Sequence, residues 1–186
     1  MTESNTVDAG RRWVVLLARV PAEPSRHRVA VWRALRRLGA VAVGQSVWAL
    51  PDHPAATGGL DRIAELVARG DGELTVLEAA GRDQASRERL ERLYVEARAA
   101  EWIEFRAECA RYLAEIDKEI GKGKLTVAEL EEEEQSMERL RRWHRELRTR
   151  DVLATPAAHA ADQELKACTA KLEDYTTRVF QALNEG

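Results

Sequence analysis

The chain has 186 residues, 45% hydrophobic and 33% charged, with 29 Lys and Arg against 32 Asp and Glu for a net charge of −3. That length suits one large domain or two small ones, and the composition suits an ordered protein with a strong helical component. No apolar run approaches the roughly 18 residues that cross a bilayer, and Met1 to Gly10 is short, polar and acidic, unlike a signal or transit peptide. A cytoplasmic protein with no membrane partner is therefore expected. The pattern predicts an α+β fold in which residues 1–9 form a disordered N-terminus. Residues 12–20, RWVVLLARV, are rich in β-branched residues and too short for a typical buried helix, so they read as a strand. Pro21 and Pro24 break the chain, and Ser25 is the expected N-cap of a helix that runs to Leu38 before Gly39. Val41 to Val43 and Ser46 to Leu50 are expected strands around a tight turn at Gly44-Gln45. Leu60 to Ala68 follows as a helix with Leu60, Ile63, Ala64 and Val67 on one side. Gly70 and Gly72 stop it ahead of a fourth strand, Leu74 to Ala79.

The order β-α-β-β-α-β is the ferredoxin-like arrangement, assigned here to residues 10–80. Both helices would cover one face of its sheet, leaving the other in need of a partner. Residues 84–186 supply candidates. Apolar positions recur at helical spacing from Leu90 to Ile120. Thr126-Val-Ala-Glu129 is a capping box ahead of the stripe Leu130, Met137, Leu140, Trp143 and Leu147. Thr155-Pro156 starts a last helix with Leu165, Cys168, Leu172, Tyr175, Val179 and Leu183 inward. Three long amphipathic helices with short loops read as an antiparallel bundle. Cys109 and Cys168 fall on apolar stripes with no CxxC spacing, so both are expected as buried free thiols.

Between Gly10 and Leu50 eight arginines meet one acid, Glu23, in a chain that is acidic as a whole. On a helical wheel Val29, Trp32, Leu35 and Leu38 make one face of the Arg-rich helix, and Arg26, Arg33 and Arg37 fall together on the other. Three guanidinium groups in a stripe suit phosphate or another oxyanion, and an ordinary solvated face is the alternative. Arg28 projects onto the apolar face one turn before Trp32, where it would snorkel past the sheet edge or stack on the indole. Arg19, at the end of the first strand, could join the same patch; an ion pair with Glu23 is the alternative for either. A second basic patch, RLRRWHRELRTR from Arg139 to Arg150, includes Arg139, Arg142 and Arg145. It follows Glu131 to Glu134 on the same helix, a charge order that complements the helix dipole, with Glu138 and Arg142 spaced to pair. The tryptophans at 13, 32, 48, 102 and 143 read mostly as packing.

The run RVP..PS..R...WR.L..LGA, followed by Q..VW.LP, resembles the N-terminal domain of the chromate-resistance transcriptional regulator ChrB, and more distantly the central domain of the PaaX-type repressors. The resemblance implies a regulator of a chromate-resistance operon, with operator DNA and chromate or another oxyanion as partners. Longer ChrB-like proteins have a further C-terminal domain and PaaX-type repressors a winged helix ahead of the matching region. Either the arginine patches bind DNA directly, or the protein senses or scaffolds. A module that binds no DNA and forms a homodimer through its long helices is the rival reading, and an enzyme acting on a small anion or nucleic acid is the third. No GxSxG, P-loop or HExxH is present. Ferredoxin-like nucleases of the CRISPR-adaptation type place a metal-binding Asp where this chain has Arg19-Val20-Pro21. No catalytic residue, metal or cofactor is therefore expected. The apolar area left by the sheet and helices predicts a homodimer.

Overall fold

The computed structural model describes residues 10–185, so the disorder expected of residues 1–9 lies outside it. The elements run β1 (Trp13–Arg19), α1 (Ser25–Leu38), β2 (Val41–Gly44), β3 (Val47–Pro51), a single 3₁₀ turn (Pro54–Ala56), α2 (Thr57–Arg69) and β4 (Glu73–Ala79). Three long helices follow: α3 (Gln84–Gly121), α4 (Val127–Arg150) and α5 (Pro156–Glu185). This is an α+β protein, with a four-stranded antiparallel sheet followed by long helices. It divides into two compact units, Met1–Ala97 and Arg98–Gly186, so the first turns of α3 belong to the first unit. No helix among the described residues is long and apolar enough to cross a membrane.

In the first unit the sheet order is β2-β3-β1-β4. Side chains alternate along a strand, so Val14, Leu16 and Ala18 of β1 point one way and join Val31, Leu35, Ile63 and Val67 of α1 and α2 in one core. Trp13 points the other way and meets the edge of Tyr94 on α3, ring centroids 6.1 Å apart. Further along that second face Leu17 and Leu77 stay exposed. The helix start and the hairpin both differ from expectation. Pro24, in extended geometry, is the N-cap of α1, and Ser25 is already helical, so no side chain caps the first turn. At the other end Gly39 takes a left-handed φ of 88° and donates to the carbonyls of Arg36 and Leu35, the geometry that favours glycine there. The hairpin turn falls on Gln45-Ser46, with the positive φ on Ser46, because the register slips between Ala42 and Gly44 and keeps Gly44 in the strand. In α2 Ile63 and Val67 are buried as expected but Ala64 is exposed.

In the second unit α3, α4 and α5 share a core that includes Trp102, Phe105, Met137, Leu140, Tyr175 and Val179. Cys109 and Cys168 are free and fully buried in it, the Cys168 thiol 3.6 Å from the Cys109 carbonyl. The contact with Cys168 and burial push the Cys109 thiol well above its ordinary range, which disfavours the reactive thiolate. One buried polar cluster is closely paired: Trp102 donates to Asp151 at 2.8 Å, and Asp151 accepts from the backbone and hydroxyl of Thr155 at the start of α5. Glu101 is flanked by Arg98 at 3.0 Å and Arg150 at 3.3 Å, all three largely or fully shielded from water. Only half of the capping box forms: Thr126 accepts from the Glu129 N–H, while the Glu129 carboxylate turns to Lys124. Leu183, expected inward, is half exposed near the C-terminal end of α5.

Candidate functional site

The helix α1 has fourteen residues, five of them arginine and none acidic. Its buried residues are Val31 and Leu35, with His27, Ala30, Ala34 and Leu38 partly covered. That inward stripe is not the expected one. Val29 and Trp32 lie on the solvent side, 41% and 49% exposed. The reason lies in the neighbours of Trp32. At 100° per residue, Arg28 and Arg36 flank Trp32 by about 40° on either side. Turning the indole inward would draw both guanidinium groups out of water, and desolvating a charge costs far more than exposing part of an indole. Val31 and Leu35 are flanked on their own side by Ala30, Ala34, Leu38 and the ring of His27 rather than by arginine, so that stripe seats on the sheet.

The result is a solvent face in which Arg26, Arg28, Arg33, Arg36 and Arg37 surround Trp32 and Val29. Arg36, rather than Arg28, lies over the Trp32 ring, its guanidinium carbon 5.4 Å from the centroid, a cation–π contact. Among the described residues no hydrogen bond or ion pair engages Arg26, Arg28, Arg33 or Arg37. The pairing with Glu23, weighed for Arg28, is absent there as well. Sequence reasoning placed Arg26, Arg33 and Arg37 correctly in solvent but missed Arg36 and the exposure of Trp32. The pattern Arg28-Trp32-Arg36, cations one turn before and after the indole, is the signal that identifies it.

Arg19 is not part of this face. It ends β1 opposite Glu73 in the β1–β4 register, and the shallow cleft beside it is lined by Asp71 and Glu73 with no arginine of α1. The second patch is brought together differently again. Arg145 pairs with Glu138 at 3.0 Å, which is the partner expected for Arg142. Arg139 donates to Ser136, and Arg150 reaches Glu101 and Glu146. Arg139 and Arg142 line a groove of about 520 Å³ between α3 and α4, with Tyr112, Trp143 and the glutamates 108, 115, 133 and 146. Burial, then neighbouring carboxylates, raises the Glu133 carboxyl above its ordinary value. His144 contacts Asp162 at 2.7 Å and packs against the rings of Trp102 and Phe105. No group of three or more His, Cys, Asp or Glu among the described residues is placed to hold a metal ion.

Chemically, α1 offers fixed positive charge, an indole face and no acid, which suits a polyanion with planar rings. Comparison with known proteins gives a family. The model of the N-terminal domain of Protein ChrB matches residues 28–186, which takes in Arg28, Trp32, Arg33, Arg36 and Arg37 but neither Arg19 nor Arg26. Protein ChrB of Cupriavidus metallidurans is 27% identical over 92 residues, 49% of this chain and 28% of that protein. The matched stretch is thus less than a third of the relative's length.

Proposed function

The chain belongs to the ChrB N-terminal family, and from that premise we propose that it is a transcriptional regulator of chromate resistance that holds DNA on the solvent face of α1. The observation that supports this most is the set of four guanidinium groups, on Arg26, Arg28, Arg33 and Arg37, without an acidic partner among the described residues. Desolvated ion pairs inside a protein consume arginines; these are left for phosphate. Phosphate contacts release counterions, so affinity falls with salt by about 0.9 log units per contact for each log unit of salt. In this reading the sheet unit is ferredoxin-like, the long helices form a three-helix bundle, and the protein works in the cytoplasm without catalysis. Chromate, a tetrahedral dianion like phosphate, competes for the same guanidinium groups. The test is a duplex taken from upstream of its own coding region, titrated between about 50 and 200 mM salt with and without chromate. A steep salt slope that Arg33→Ala/Arg37→Ala flattens by about two contacts supports the reading. A salt-independent affinity, or one that the double variant leaves intact, removes it.

A second reading has its own observation. Ile103, Phe180 and Leu183 of the helical unit are each at least half exposed, and large apolar side chains in water favour an interface. In that reading the chain forms a homodimer through its long helices. Light scattering distinguishes it: a mass near twice 20.9 kDa that Ile103→Glu/Phe180→Glu returns to the monomer supports it, and a monomer throughout overturns it.

A further inference from the structure

We infer that the α1 face takes an unstacked base, so that it prefers single-stranded DNA to duplex; this rests on the reading of α1 as the DNA-binding face. Arginine alone would serve a duplex as well as a strand. Trp32 changes the chemistry. An indole carries one N–H donor and no acceptor, so it reads base edges poorly, whereas its ring face stacks on any base that has left its own stack. Edge reading in a major groove is the work of Arg, Lys, Asn and Gln. The arginines of α1 could take that role on a duplex, but Trp32 adds nothing to it. What α1 presents at the centre of its arginines is a ring 49% exposed and a half-exposed Val29 one turn away.

The placement is organised as well as available. Arg36 lies over the ring at 5.4 Å, and the indole as a whole is half exposed, so it is accessible to a base. Arg33 and Arg37 are one turn apart, about 6 Å along the axis, within reach of successive phosphates on an extended strand. Arg28 and Arg26 continue positive charge toward the start of the helix, where no side chain caps the first-turn N–H groups and no acid is present in the first turn. A stacking platform bordered by backbone-tracking cations is the combination that binds single strands with little sequence preference. A protein partner is the other way to cover Trp32 and Val29, but a face whose charged groups are all arginine fits a polyanion better than a second copy of itself.

The experiment is fluorescence anisotropy of the full chain with a labelled 20-mer, presented as a single strand and as a duplex, for wild type, Trp32→Ala, Trp32→Phe and Arg33→Ala/Arg37→Ala. The single strand should bind about tenfold tighter than the duplex. Trp32→Ala should weaken the single strand roughly fivefold to a hundredfold, the span of one lost base stack, and the duplex by a clearly smaller factor. Trp32→Phe should keep most of the preference, and the double arginine variant should weaken both forms. Equal binding of both forms, lost in the double arginine variant and indifferent to Trp32→Ala, overturns the base-stacking inference and leaves the DNA reading standing. Binding of neither form overturns both. A change in the mass of the protein on Trp32→Ala, with nucleic-acid affinity unaltered, assigns the face to self-association and also overturns it. Trp32 is half exposed, so the variants should melt with wild type, and a melt by circular dichroism checks this.

Discussion

In α1 five arginines share fourteen residues with no acid; in α4 six arginines share twenty-four residues with seven glutamates. Both are amphipathic helices of a net acidic chain, and both read from composition as basic patches. Their arginines end in different places. Two of those of α4 are drawn into the protein's own carboxylates, Arg145 to Glu138 and Arg150 to Glu101 and Glu146, while Arg139 donates to Ser136. Most of those of α1 keep their charge facing water with an aromatic ring in their midst. Arginine count therefore says little about availability. A nearby acid is what takes Arg145 and Arg150 out of availability, and α1 has none on its own length.

That contrast can be broken from either side, and the largest effect should come from the helical unit. Glu101→Ala would leave Arg98 and Arg150 shielded from water without their shared carboxylate, and stripping one partner from a buried ion pair costs about 3–5 kcal/mol. Urea denaturation should show that loss; a change under about 1 kcal/mol would mean that the α4 arginines are no more committed than those of α1. Next comes Arg33→Ala/Arg37→Ala. It should lower DNA affinity at least about tenfold, or roughly 1.4 kcal/mol, while stability moves by no more than about 0.5 kcal/mol.

A smaller effect depends on pH. Burial and adjacent carboxylates raise the Glu133 carboxyl in the folded protein. As pH rises past the ordinary carboxylate value, the unfolded chain loses this proton before the folded one does, so this group's contribution to stability falls across that window. Glu133→Gln should therefore raise Tm near neutral pH and make little difference near pH 4, where both states hold the proton. An equal effect at both pH values would show that the amide acts by packing rather than by removing a charge. The smallest change expected is Arg145→Ala, which breaks an exposed pair with Glu138 worth about 0.2–1 kcal/mol. DNA affinity should be unaffected; if it drops as far as in the α1 double variant, the two helices share the work.

Much of this protein is local and so was legible in the sequence. Strand and helix limits lie within a few residues of the breaks set by Pro21, Pro24, Gly39, Gly70 and Pro156, because those residues act through their own φ and missing donors. The long apolar repeats of α3 and α5 place Tyr94, Trp102, Cys109, Cys168 and Tyr175 inward as their spacing requires. The exposed arginines at 26, 33 and 37 were legible for the same reason. The rotation of α1 was not. Its sequence offers two adjacent apolar stripes, and only docking on the sheet selects Val31 and Leu35 over Val29 and Trp32, since the other choice would desolvate Arg28 and Arg36. Likewise the register slip after Ala42 moved the hairpin turn onto Ser46, and Arg145 rather than Arg142 took Glu138. Spacing along one chain fixes which residues share a face; which face turns to solvent is decided by the surface packed against it.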